Sequence, residues 1–252
     1  MEGINQFTDW TSEEFLLYLS RGWRNEPKIW GEIYQKTNGS EAPLYIDWRN
    51  KSAVTGVKDQ GMCGSSWSFS ATGAIEGQLG LKGNLFSLSE QNLIDCSPDS
   101  GCRGGSPNIA FDYVRMNGIE SEVSYPYIGA DGSCAAESSS VVTKISKIVK
   151  ISPNDEDALQ DAIASVGPIS VAIDATENLQ RYKAGILDDN SCRNDTQNHA
   201  VLVVGYGREN NTDYYIIKNS WGDDWGEQGY FRLTRNRNNM CGISSTASFP
   251  VL

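Results

Sequence analysis

Positive charge and histidine are scarce in this 252-residue chain: 21 Lys and Arg stand against 32 Asp and Glu, with one His, for a formal charge of -11. Nucleic acids and anionic membranes are bound through concentrated positive charge, so this balance argues against either as a partner. No apolar run approaches the roughly 18 residues of a membrane-spanning helix, and residues 1–20 lack a basic start followed by an apolar stretch. The expectation is a soluble chain from which any signal peptide has been removed. Internal repeats and low-complexity tracts are missing as well. With one histidine and no Cys-x-x-Cys pair a zinc site is hard to build, so neither a metal nor a cofactor is expected.

What is present is ordinary globular material, 39% apolar and 10% aromatic, enough for one compact unit with a full core. The six cysteines, Cys63, Cys96, Cys102, Cys134, Cys192 and Cys241, read better as disulfides than as metal ligands, and the count alone allows 15 pairings. Disulfides imply an oxidising route, either secretion or lysosomal delivery. Asn-x-Ser/Thr sequons at Asn38, Asn50, Asn194 and Asn210 point the same way.

Residues 1–41 differ from the rest. A short helix is expected at Thr11 to Leu19, then a polar linker from Gln35 to Glu41. From Trp67 to Leu81 the apolar residues Trp67, Ala71, Ala74, Ile75 and Leu79 fall at helical spacing and predict a buried helix. Beyond about residue 150 strands are expected: alternation at Ile169, Val171 and Ile173, an apolar run from Ala200 to Val204, then Tyr214 to Ile217 and Tyr230 to Leu233. A helical first half and a strand-rich second half define an α+β fold, with lobes at about 51–150 and 151–248.

The chemistry lies in three short segments. Gln60-Gly61-Met62-Cys63-Gly64-Ser65-Ser66-Trp67 carries the signature C-G-[SA]-C-[WY] at four of its five positions, with Ser66 in place of the second cysteine. Asn198-His199-Ala200 and Lys218-Asn219-Ser220-Trp221-Gly222 place a histidine 133 and an asparagine 153 residues after Ser66, about the spacing that accompanies the signature. Singly, a lone histidine is usually a surface or satisfied core residue, and an Asn-Ser-Trp run is usually a turn. In this order and spacing the chain resembles the papain-like cysteine peptidases, of the cathepsin L type. Asp47-Trp48-Arg49, Ser89 to Leu93, Cys102 to Gly105 and Tyr230 extend the resemblance over residues 42–252.

The resemblance implies a two-lobed papain-like fold, a helical left lobe and a β-barrel-like right lobe, with the active site between them. It implies that residue 66 is the nucleophile at a helix N-terminus, that His199 is general base and acid, and that Asn219 orients the imidazole while Trp221 shields that bond. Gln60 and the backbone N–H of residue 66 would stabilise the oxyanion. Gly105, Ser106, Pro107, Ala172, Gln197, Asn198, Ala200 and Thr246 would line the substrate site. None is charged, so an apolar or aromatic side chain is expected at the second residue before the cut. Without the paired histidines of an exopeptidase loop, endopeptidase action is expected. The pairing implied is Cys63 with Cys102, Cys96 with Cys134, and Cys192 with Cys241.

Gly3-Ile4-Asn5-Gln6-Phe7-Thr8-Asp9 resembles the G-x-N-x-F-x-D motif of propeptides in this family. Residues 1–41 would then be the C-terminal part of an inhibitory propeptide, and residues 42–252 the peptidase domain. The partners implied are protein and peptide substrates and the chain's own propeptide, acting on a monomer. Ser66 leaves two readings: a peptidase whose nucleophile has been replaced, or a natural non-peptidase, either a scaffold or a Ser/His/Asn protein like the sponge silicateins.

Overall fold

Thr11 opens the first helix of the computed structural model, which describes residues 3–22, 31–36 and 42–252. Its hydroxyl accepts from the Glu14 N–H at 3.2 Å while the Glu14 carboxylate accepts from the Thr11 N–H at 2.8 Å, which satisfies two donors at the start of α1 (Ser12–Ser20). After β1 (Glu32–Ile33) and β2 (Ile46–Asp47) comes α2 (Ser66–Leu81), the central helix. It is buried on nearly every side, so its small residues are what allow neighbours to approach. A Cβ at Gly73 would lie 2.7 Å from Leu202, and one at Gly77 2.8 Å from Pro168. The helices α3 (Glu90–Cys96) and α4 (Pro107–Asn117) pack around it, each begun by a serine cap, Ser89 and Ser106.

The rest of the chain supplies β3 (Ile119–Glu120), β4 (Val141–Thr143), β5 (Lys147–Lys150), α5 (Glu156–Ser165), β6 (Ile169–Ile173), α6 (Glu177–Gln180), β7 (Ile186–Leu187), β8 (His199–Glu209), β9 (Thr212–Lys218), β10 (Tyr230–Thr234) and β11 (Ser248–Val251). The main sheet runs β1-β5-β11-β6-β8-β9-β10-β7, with β2 added to β8. Alternation along β8 divides the core in two. Ala200, Leu202 and Val204 face Trp67, Ala71 and Ile75 of α2, whereas Val201 and Val203 face Leu159 and Ile163 of α5. Both faces of the sheet are covered, which is why Ala200 to Val204 reads as an unbroken apolar run.

The expected barrel-like lobe is instead an open sheet; among the described residues it does not close into a barrel. Its outer strands β1 and β7 are two residues long, each paired in parallel on one side, to β5 and β10 respectively, and nothing joins them. The predicted linker lies outside the described residues beyond Lys36, as does the Asn38 sequon, while Asn50, Asn194 and Asn210 are exposed.

A buried charge cluster ties the loop before α2 to α2, α3 and the end of β9. Lys58 Nζ donates to Glu76 at 3.0 Å and to Glu90 at 2.7 Å, and Lys218 Nζ donates to the Thr55 carbonyl at 3.0 Å. Burial pushes the Glu90 carboxyl up to about 7 against the pull of Lys58.

Three disulfides, Cys63–Cys102, Cys96–Cys134 and Cys192–Cys241, close loops with sequence separations of 39, 38 and 49 residues, and no cysteine is free. Loops of that size contribute about 3–4 kcal/mol each. Mass spectrometry of the unreduced protein should find no alkylatable thiol, and reduction should lower the melting midpoint by at least about 10 °C. A melt that reduction leaves unchanged would contradict the stabilising role.

Candidate active site

The Cys63–Cys102 bond holds the chain where it turns into α2. At Gly64 a Cβ would lie 2.6 Å from the Cys102 carbonyl oxygen, so the approach requires glycine. Ser66 follows as the first residue of α2, where unpaired backbone N–H groups favour negative charge. His199 begins β8 and Asn219 follows β9, and the register Ala172 with Ala200 and Leu202 with Lys218 brings these strand ends against the helix N-terminus. The Ser66 hydroxyl accepts from the Ala200 N–H at 3.2 Å.

His199 Nε2 is 2.8 Å from Asn219 Oδ1, which also accepts from the Ser220 N–H at 2.8 Å. With two donors on one oxygen, the amide orientation is set, the histidine proton sits on Nε2, and Nδ1 is the basic nitrogen. Trp221 stacks on the imidazole, with ring centroids 4.7 Å apart and planes at 27°. Burial pushes His199 down to about 4, with the Asn219 bond pulling the other way. Gln60 is buried beside Ser220, its backbone N–H donating to the Ser220 carbonyl at 2.9 Å.

The N-terminal segment covers this group. A Cβ at Gly22 would lie 3.2 Å from Ser66 Oγ and 3.7 Å from the Asn198 carbonyl oxygen, and the Arg21 carbonyl oxygen lies 2.7 Å from a Cβ built on Gly64 and 2.5 Å from one on Gly104. Residues 21 and 22 thus fill the gap between the α2 side and the β8 side. The cover is anchored by aromatic contacts: Phe7 and Phe15 meet Trp221 edge to face at 5.0 and 5.6 Å, and the Tyr18 hydroxyl donates to the Gly61 carbonyl at 3.0 Å. The Gly3-Asn5-Phe7 spacing has a structural cause. The Gly3 N–H donates to Arg181 at 2.9 Å, where a Cβ would press Lys183, Asn5 Nδ2 donates to the Gln180 carbonyl at 2.8 Å, and Gln180 Nε2 returns a bond to the Phe7 carbonyl at 3.0 Å.

The residues expected to line the substrate site fall into separate groups. Gly105 lies against the Trp67 ring, while Ser106 and Pro107 begin α4. Ala172 and Ala200 are neighbours across β6 and β8, and Asn198 is locked by a bond from the Ala175 N–H at 2.8 Å. Gln197 and Thr246 line an open groove of about 840 Å³ that also carries Asp155, Glu156, Asp157 and Asp195. Sequence reasoning missed those carboxylates, because they come from a helix start and a loop far apart in the chain. It also missed the cover residues Arg21 and Gly22, the receiving residue Gln180, and Trp225, which packs edge to face on Trp221 at 5.0 Å.

Residues 42–251 match the family model described as papain family cysteine protease. Procathepsin L of Rattus norvegicus is 46% identical over 259 aligned residues, covering 99% of this chain and 77% of the rat protein. Digestive cysteine proteinase 2 of Homarus americanus is 45% identical, covering 99% of this chain and 79% of the lobster protein. The structure of digestive procathepsin L 3 from the larval midgut of Tenebrio molitor superposes with a TM-score of 0.95 at 49% identity, covering 100% of this chain and 82% of that one. This chain belongs to the papain family of cysteine proteases. It is of the cathepsin L-like procathepsin type, a class of cysteine endopeptidases, with three disulfides.

The single histidine makes its titration directly measurable. Carbon-13 and nitrogen-15 shifts of the His199 ring should move with a midpoint near 4 in the covered protein. With residues 1–41 removed, water reaches the ring and the midpoint should rise toward the ordinary 6.5. A midpoint near 6.5 in the covered form would contradict the burial account.

Proposed function

We propose that residue 66 is the nucleophile position of a proteolytic site in which His199 moves the proton and Asn219 fixes the imidazole. Gln60 and the residue 66 backbone N–H then receive the oxyanion. The single observation that carries this reading is the intact His199–Asn219 pair beside Ser66, with Gly22 seated over the hydroxyl. As a serine the position reacts poorly. A hydroxyl is far less acidic than a thiol, so it cannot form the thiolate and imidazolium pair and needs full general-base help from His199. Peptidase activity falls by a factor on the order of a thousand or more relative to a cysteine at this position.

Residues 1–41 act as an inhibitory propeptide that runs through the cleft opposite to a substrate, on a monomeric peptidase domain of residues 42–252. Protein and peptide substrates with an apolar or aromatic second residue before the cut fit the uncharged pair Ala172 and Ala200. The three disulfides and the net charge of -11 support a lysosomal or secreted protein that binds neither nucleic acid nor membrane. Ser66 itself favours a second reading, a natural non-peptidase that keeps the fold.

Ser66→Cys separates the two readings. The variant should hydrolyse fluorogenic peptides at about pH 5 with a bell-shaped profile, prefer Leu or Phe over Arg or Glu at the second residue before the cut, and cleave itself between about Asn38 and Leu44. His199→Ala in that background should abolish both activities. A correctly folded Ser66→Cys protein that does neither supports the non-peptidase reading, and preference for Arg overturns the pocket assignment.

A further inference from the structure

We propose that the outer edge of β5 is a second peptide-binding site: once residues 1–41 leave, it takes an extended segment of a protein substrate in which an acidic residue, a tyrosine and a basic residue alternate. The inference rests on the reading that residues 1–41 are removed by processing. What carries it is the way residues 31–36 are held on that edge.

In the main sheet β5 pairs with β11 on one side, and on the other with the two residues of β1. Glu32 is in register with Val149 and Ile33 with Lys150, in parallel, and the Tyr34 N–H donates to the Lys150 carbonyl at 2.8 Å. A Cβ at Gly31 would lie 3.2 Å from the Ile148 carbonyl oxygen, so the arriving chain runs close to the strand. When such a partner departs, the strand presents unpaired N–H and C=O groups, and an edge of this kind adds an extended chain whose side chains fit.

Three side chains are read, each two residues from the last, which is the repeat of an extended chain. Lys147 Nζ donates to the Glu32 carboxylate at 2.6 Å. The Tyr34 ring meets the buried Phe249 edge to face at 5.8 Å, while its hydroxyl donates to Asp161 Oδ2 at 2.7 Å and lies 2.8 Å from Ser165 Oγ. Tyrosine is favoured over phenylalanine there, because only the hydroxyl reaches Asp161. Lys36 Nζ then lies 3.6 Å from Asp155 and 3.8 Å from Asp157. The edge thus carries positive charge at Lys147, an apolar floor with a polar end at Phe249 and Asp161, and negative charge at Asp155 and Asp157. Complementary charge of this kind fixes register more than it adds affinity.

The test keeps residue 66 as serine and the cleft covered. In the full chain, Glu32→Lys with Tyr34→Ala removes two of the three contacts and frees the edge while residues 7–22 stay in place. If the pair of substitutions unfolds the chain, Tyr34→Ala alone serves. A fluorescein-labelled peptide with the sequence of residues 31–36 is the probe, read by anisotropy. It should bind the freed chain saturably and at least about tenfold more tightly than the unaltered chain, whose own residues compete intramolecularly. Asp161→Ala in the freed chain should weaken binding about tenfold, but less than about twofold for the peptide with Tyr34→Phe. Lys147→Glu should weaken the original peptide and strengthen the one with Glu32→Lys. In processed Ser66→Cys, a fluorogenic peptide joined through about 20 Gly and Ser residues to the sequence of residues 31–36 should show a KM lowered about tenfold at unchanged kcat, relative to the same substrate with Glu32→Lys and Tyr34→Ala. Absence of saturable binding to the freed chain, an equal loss for the tyrosine and phenylalanine peptides, or equal KM for the two joined substrates overturns the inference. A Ser66→Cys chain that hydrolyses neither substrate overturns the proteolytic reading and the substrate role with it, whereas the anisotropy alone decides whether the edge binds.

Discussion

The Trp221 indole is the contact through which the sheet, the histidine and the N-terminal segment hold one another. It is fully buried, stacks on His199, and meets Trp225, Phe7 and Phe15 edge to face. Aromatic pairs of this kind contribute about 0.5–1.5 kcal/mol each beyond their buried area. The same indole keeps water from the bond between His199 and Asn219, in a surrounding of low polarity where a hydrogen bond is stronger and an unpaired charge is costly. The fall of His199 to about 4 is the electrostatic consequence of that dryness.

From this follows a site that is assembled and closed at once. The helix N-terminus, the imidazole and the orienting amide are in place beneath the N-terminal segment, and Gly22 occupies the space above Ser66. A thiol in place of the Ser66 hydroxyl would change the electrostatics, since a thiolate beside the imidazole favours its protonated form and would raise its pKa. The serine supplies no such charge, so burial dominates the ring, opposed only by the Asn219 hydrogen bond. In the proposed reading the hydroxyl and the imidazole are mismatched in the covered form, because a hydroxyl calls for a stronger base and the buried ring is a weaker one.

Much of the site was legible because its parts sit in short local patterns. Gln60, Cys63 and Ser66 belong to one turn into a helix, and His199 and Asn219 lie at strand ends whose apolar runs, Ala200 to Val204 and Tyr214 to Ile217, are long enough to show. Two-residue strands such as Glu32–Ile33 and Ile186–Leu187 carry no period that could reveal them, and with them the open edges of the sheet went unseen. The groove around Gln197 and Thr246 was illegible for a different reason. Its carboxylates Asp155, Glu156 and Asp157 arrive from the start of α5, and only the tertiary fold places them beside Asp195. The role of Gln180 depends on which atom of its amide faces which neighbour, which residue type alone does not specify.

The central claim is that aromatic docking of residues 7–18 on Trp221 keeps residue 66 covered. In Ser66→Cys at neutral pH, before processing, every other cysteine is in a disulfide, so the rate of alkylation by iodoacetamide reports access to the introduced thiol alone. Phe7→Ala removes a ring buried to 3% exposure, a loss of about 3–5 kcal/mol of packing for a core phenylalanine. The account predicts that Phe7→Ala accelerates alkylation at least about tenfold with the rest of the fold intact. An unchanged rate in a folded Phe7→Ala variant would contradict it.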